Sequence, residues 1–252
     1  MTQQDVITGR DVLAEHYAGG ELELFAAAVN WKSYFARAIR PFIAGRVLEV
    51  GAGIGANIPY LHKAGVTEWT SLEPDAELAG QIDRAVARGQ LPANCRVEIG
   101  TLRSIDPAAR YDAILYIDVL EHIAEDAAEL SEAASHLMPG GHLIVLAPAH
   151  QFLFSAFDEA VGHYRRYNRK SLAALVPPGC TLRSCRMLDA VGFFASLANA
   201  ALLRSAVPSK GQIKLWDSCM VPLSRVADRV MGHRFGKTVI AVWRADAVTG
   251  RF

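Results

Sequence analysis

Three glycines, Gly51, Gly53 and Gly55, alternate with Ala52 and Ile54 directly after the apolar run RVLEV at residues 46–50. Glycine lacks a Cβ and accepts positive φ, so a strand ending in this turn brings bare backbone close to a ligand. Glu73 closes the next apolar run. A carboxylate there accepts hydrogen bonds from both hydroxyls of a ribose, or else is only a solvated strand end. Beside the glycine turn, the ribose reading is the stronger one. The spacing departs from a dinucleotide fingerprint, with Ala56 at the sixth position, and no G-K-[ST] follows to grip a triphosphate.

A second group of residues has chemical potential. Residues 149–170 hold His150, Phe154, Asp158, Glu159, His163, Tyr164 and Tyr167 together with Arg165, Arg166, Arg169 and Lys170. His163 is the first candidate for a general base, with Tyr164 or Tyr167 orienting an acceptor. Arg165 and Arg166 can grip a phosphate or carboxylate through forked donors. His150, Phe154 and Asp158 complete the expected acceptor wall. The competing reading is a loop pinned by its own Asp–Arg and Glu–Arg ion pairs, with the tyrosines packed. No metal-ligand spacing stands out, so no metal is expected.

The elements that must position these groups alternate. Strands are expected over residues 46–50, 68–73, 96–99, 111–117 and 142–147. Helices are expected after Ile58, from Asp75 to Ala87, and after the fourth strand through Leu137. The alternation argues a doubly wound parallel α/β sheet, whose ligands bind at the carboxyl ends of the strands. Trp31, Tyr34, Phe35, Ala38 and Ile39 recur at helical spacing before Pro41. After Pro148 the rhythm breaks. A short helix from Ser171, a strand over 180–188, helices near 193–204 and 215–231, and a last strand over 238–243 are expected.

Composition narrows the function. The chain has 252 residues, with 26 Lys plus Arg balanced by 26 Asp plus Glu. Neutrality removes support for a nucleic-acid partner, which favours a basic excess. Cys95, Cys180, Cys185 and Cys219 show no C-x-x-C spacing, against a zinc ribbon or thioredoxin motif. The opening residues carry no apolar leader, and the longest uncharged run, 190–203, is shorter than a membrane span. A cytoplasmic address is expected, with peripheral membrane contact and a second copy of the chain left open as partners.

The segments VLEVGAGIGAN (47–57), YDAILYIDVLEHI (111–123) and LMPGGHLIV (137–145) together resemble class I S-adenosylmethionine-dependent methyltransferases of the bacterial small-molecule type. DEAVGHYRRY (158–167) is similar to a motif of bacterial methyltransferases of this broad type. The resemblance implies a Rossmann-like seven-stranded sheet with the last strand antiparallel. It implies one domain with a helical cap over 1–45, a cofactor core over 46–148, a lid with the sixth strand over 149–236 and a last strand and tail over 237–252.

By position, the resemblance assigns Glu49, Gly51, Ala52, Gly53, Gly55 and Asn57 to the methionyl part of S-adenosylmethionine. It gives Glu73 to the ribose and Pro74 and Asp75 to the adenine edge. Thr101 and Leu102 stand where the family usually carries an acid, which this chain lacks. Ile117, Asp118, Val119 and His122 line the cofactor after strand four, and Tyr34 closes over it from the N-terminal helix. The activity implied is methyl transfer to a small-molecule acceptor, anionic or lipid-like, at oxygen, nitrogen or carbon. A non-catalytic cofactor-binding subunit is the alternative, and a nicotinamide oxidoreductase is disfavoured by the Gly55 spacing.

Overall fold

The computed structural model describes residues 25–202 and 209–247. Expectations for the first 24 residues lie outside the described residues. Five strands run parallel: β1 (Gly45–Val50), β2 (Val66–Glu73), β3 (Cys95–Ile99), β4 (Tyr111–Ile117) and β5 (Leu137–Pro148). β7 (Thr238–Ala245) lies antiparallel between β5 and β6 (Cys180–Leu188), giving the order β3-β2-β1-β4-β5-β7-β6. The chain winds outward in opposite directions from β1 and β4, which pair Val47 with Ala113 and Val50 with Tyr116. The crevice at the carboxyl ends of those two strands is the place where an open sheet receives a ligand.

Strand alternation sends side chains to two cores. Val47, Trp69, Leu115 and Leu146 pack with α1 (Val29–Ile39), α2 (Ile58–Leu61) and α3 (Ala76–Ala87). Leu48, Ile114, Val145 and Trp243 pack with α4 (Asp126–Ser135) and with α6 (Arg169–Ala174). Between them comes α5 (Ala156–Ala160), and β6 leads to α7 (Ala190–Leu202), α8 (Lys210–Leu215) and α9 (Val221–Val230).

Buried acids fasten the helices over the crevice. Asp217 accepts from the amides of Asn30 at 3.2 Å and Trp31 at 2.8 Å, covering the exposed donors at the start of α1. Asp228 does the same for α7, accepting from the amides of Asp189 at 2.7 Å and Ala190 at 2.8 Å. Asp189 in turn accepts from Ser224 Oγ at 2.6 Å and Trp216 Nε1 at 2.7 Å.

Four elements differ from the sequence expectation. The helix after the glycine turn is a single turn, because the chain must reach the Gly65 carbonyl's bond to the Gly45 amide, 2.7 Å, and enter β2. After β4 comes a 3-10 turn, Leu120–His122, and α4 starts only at Asp126, because the Glu121 carbonyl is taken by the Tyr164 amide at 2.8 Å. The expected Pro139-Gly140-Gly141 turn lies inside β5. A Cβ on Gly141 would sit 3.1 Å from the Asp112 carbonyl oxygen, so glycine lets this segment lie along β4. The long late helix is broken by a π turn, Trp216–Met220, ahead of Pro222.

Candidate active site

Positive φ at Gly51 (66°), Gly53 (56°) and Gly55 (73°) turns the chain sharply off β1. A Cβ on Gly51 would stand 2.6 Å from Val119 Cγ2, so only bare backbone clears the wall built by the segment after β4. Glu73 joins this turn to the end of β2. Its Oε2 accepts from the Gly53 amide at 2.7 Å and its Oε1 from the Asp75 amide at 3.0 Å. A carboxylate offers about four acceptor directions, so two remain for ligand hydroxyls. Asp75 caps α3 through the amides of Glu77 and Leu78, and Pro74 is exposed beside it.

Glu49 lies buried behind the turn and accepts from Asn57 Nδ2 at 3.1 Å. Burial pushes its carboxyl up to about 7, against the pull of Asn57 and Trp69. Ala52 is buried, its amide on the Leu72 carbonyl. Thr101 is exposed after β3, whereas Leu102 is buried in the sheet's second core and so packs as a core side chain.

Asp118 follows β4 with φ 54°, a conformation that is uncommon outside glycine. Asp118 is exposed at the carboxyl end of β4. Burial pushes its carboxyl up to about 6, while His163, Lys32 and Lys237 pull it down. These four residues come from β4's end, the lid, α1 and the approach to β7. Burial lowers the pKa of both lysines. Neither lysine has a sequence signal, since each is a lone basic residue that only tertiary folding brings near Asp118.

The lid is held mostly by its own charges. Asp158 is fully buried and accepts from Ser155 N and Oγ, both at 2.9 Å, from Arg166 Nε at 2.7 Å and Arg166 Nη2 at 2.8 Å, and from His163 Nδ1 at 2.8 Å. Those donors keep its carboxyl well below the usual range despite burial. Arg165 pairs with Asp126 at 2.7 Å and donates to the Ala124 carbonyl at 2.7 Å. The two arginines expected to grip an anion are therefore engaged, Arg166 by Asp158 as the pinned-loop reading has it, and Arg165 by Asp126 rather than by the Glu159 that reading names.

Tyr167 is likewise buried, its hydroxyl donating to Asp126 Oδ2 at 2.7 Å, and its backbone bridges Ala149. Tyr164 is exposed beneath the Arg165 guanidinium. Tyr34, expected over the cofactor, donates its hydroxyl to Asp228 at 2.8 Å and so ties α1 to α9. His150, at φ 69°, meets the Gly236 carbonyl at 3.0 Å and stacks 4.5 Å from Phe193, with Phe152 at 5.1 Å. Phe154 is half-buried. His122 lies edge-on to His163, ring centroids 4.5 Å apart.

A family model described as a methyltransferase domain matches residues 25–177 of this chain. The chain belongs to the class I S-adenosylmethionine-dependent methyltransferases. It is 27% identical over 100 residues to a ubiquinone biosynthesis O-methyltransferase of Bradyrhizobium sp. (strain ORS 278), a match covering 40% of this chain and 38% of that protein. The chain thus spans under two fifths of that curated relative.

Solved structures share the fold of this methyltransferase. The [4+2]-cyclase SpnF has a TM-score of 0.60 at 14% identity, over 95% of this chain and 97% of that one. Coclaurine N-methyltransferase, bound to N-methylheliamine and S-adenosylhomocysteine, has a TM-score of 0.56 at 14% identity, over 96% and 75%. Its cofactor is S-adenosylmethionine, and the crevice fits it. The Gly51 turn leaves backbone where a Cβ would collide, and Glu73 keeps acceptor capacity at the end of β2. Among the described residues, no helix is long and apolar enough to cross a membrane.

Proposed function

We propose that this methyltransferase modifies a hydroxyl oxygen of a small acceptor with an aromatic or lipid-like body. The observation that carries the reading is the segment after β4, where Asp118, held at φ 54° one residue before the Val119 that abuts the Gly51 turn, shares one electrostatic neighbourhood with Lys32, Lys237 and His163. S-adenosylmethionine, when bound, supplies a methyl group on a good sulfonium leaving group. The chain's work is to align the acceptor and take its proton.

Gly51, Ala52, Gly53, Gly55, Glu49 and Asn57 would hold the methionyl part, and Glu73 and Pro74 the nucleoside. Thr101, Ile117, Val119 and His122 would complete that wall. We assign the acceptor's proton to Asp118, exposed beside the glycine turn, rather than to His163, whose Nε2 is turned toward Glu121. Lys32 and Lys237 favour negative charge developing on the acceptor oxygen. His150, Phe152 and Phe193 offer a shelf for an apolar body. The O-methyltransferase name of the partial relative supports oxygen as the acceptor atom. Exposed Phe152, Phe194 and Leu197 support peripheral contact with a lipid surface.

The test is turnover of S-adenosylmethionine to S-adenosylhomocysteine with phenols, catechols and hydroxylated isoprenoids, against matched amines. Product with the hydroxyl compounds alone supports the reading. Product with amines alone, or tight S-adenosylhomocysteine binding with no turnover on any acceptor, overturns it.

A further inference from the structure

Glu121, His122 and His163 present one ligand atom each, all within 4.8 Å of one another. Glu121 and His122 come from the 3-10 turn after β4, and His163 from the lid. His163 Nε2 lies 4.0 Å from Glu121 Oε1. The methyl-transfer reading above gives Glu121 no role and His122 only a place along the cofactor wall, and a carboxylate with two imidazoles is an uncommon group to bring together.

The tautomer of His163 follows from its surroundings. Asp158 accepts from Arg166 and Ser155 and is therefore an ionised acceptor, so the bond at 2.8 Å has His163 Nδ1–H as its donor. With Nδ1 held in this way, Nε2 is the nitrogen left for an ion, on the side that faces Glu121. An imidazole oriented by a carboxylate on its far nitrogen is the arrangement that metal-binding histidines adopt. Asp158 is itself held by Arg166 at two points, so the orienting group is fixed as well. His122 is open to solvent, which gives an ion a way in, while Glu121 is buried beneath it.

We propose that Glu121, His122 and His163 form a divalent-cation site, selective for ions that take imidazole and carboxylate together, of which zinc is the type. Metal bonds of about 2.0–2.2 Å require the three ligand atoms to draw together from their present spacing. The His122 side chain at the rim and the lid that carries His163 are the parts that move. Three protein ligands leave a coordination position for an acceptor oxygen. That last role rests on the function proposed above, whereas binding of the ion does not.

The experiment uses the full chain, stripped with chelator and free of S-adenosylmethionine, titrated with Co²⁺ and separately with Zn²⁺. We expect one equivalent of Co²⁺ to give visible ligand-field bands that Zn²⁺ abolishes. Glu121→Gln and His122→Gln should each weaken Zn²⁺ binding by at least tenfold. His122 is exposed, so its variant tests the site even where Glu121→Gln fails to fold, and the melting temperature of each variant reports whether it is folded. Absence of stoichiometric binding in the wild type, or equal affinity in wild type and His122→Gln, overturns the site and leaves the methyltransferase assignment untouched.

Discussion

The amide of Gly53 donates to Glu73 Oε2 at 2.7 Å, so the turn off β1 and the end of β2 are one hydrogen-bonded unit. The carboxylate expected to read a ribose also sets the shape of the loop expected to admit the methionyl group. Binding and loop geometry are therefore coupled through one side chain, and substitutions on either side should disturb both.

Gly51→Val should abolish S-adenosylhomocysteine binding. The new Cβ would meet Val119 at 2.6 Å, and φ 66° is strained for a β-branched residue. Glu73→Gln is milder. Its amide end faces the Gly53 or Asp75 N–H, donor against donor, and the affinity should fall by about tenfold, the equivalent of one lost charged hydrogen bond. Calorimetric titration with S-adenosylhomocysteine checks both. Near-native affinity of Gly51→Val would remove the loop from the site.

Glu49 makes the unliganded protein pH-sensitive. Its folded pKa is raised from 4.5 to about 7, so its contribution to stability is complete below pH 4.5 and is lost as pH rises through 7. Glu73 on β2 adds to the upward shift, Asn57 and Trp69 oppose it, and Cys95 on β3 is the other titratable group facing it. The ionised form suits a cationic cofactor. The melting temperature without ligand should fall between pH 5 and 8, and Glu49→Gln should flatten that fall. S-adenosylmethionine should bind more tightly toward pH 8 with release of a proton, read from titrations in buffers of different ionisation enthalpy. A fall of equal slope in Glu49→Gln would assign it to another group.

Tyr167→Phe separates a packing role from a chemical one. The variant loses only the hydroxyl that reaches Asp126 from a buried ring. It should cost about 1–2 kcal/mol of stability, or a few degrees of melting temperature at about 2–4 °C per kcal/mol. Turnover at saturating acceptor should stay within about threefold, because no chemical step is expected to use this hydroxyl. A loss of about a hundredfold with unchanged melting would restore Tyr167 as an acid–base group.

The sheet was readable because its strands announce themselves locally. Tyr111–Ile117 is an unbroken apolar run, and the glycine turn after Val50 has few alternative explanations. The lid was only half readable. DEAVGHYRRY held the right chemical types, but composition does not say whether Arg166 meets a substrate or Asp158, and the structure puts it on Asp158. Tyr34 has helical spacing and an aromatic ring wherever it points; only the fold of α9 brings Asp228 to its hydroxyl. Lys32, Lys237 and the pairing of His122 with His163 depend on contacts between distant segments, and no local pattern encodes them.

Asp118 is the residue on which the proton-transfer assignment stands. It sits after β4 with an amide fixed to the Leu146 carbonyl at 2.9 Å and a backbone held at φ 54°. Asp118→Asn keeps the shape and the polar character that a cofactor contact would use, and removes the proton acceptor. Turnover should fall by about a hundredfold or more, with S-adenosylhomocysteine affinity changed by no more than about threefold. Single-turnover rates against calorimetric affinities make the comparison. Parallel losses in both would mean that Asp118 serves the cofactor alone. Unchanged turnover would mean that the acceptor loses its proton to solvent or is a nucleophile that carries none. The Asn side chain tolerates positive φ better than most, so this variant does not confuse backbone strain with lost chemistry.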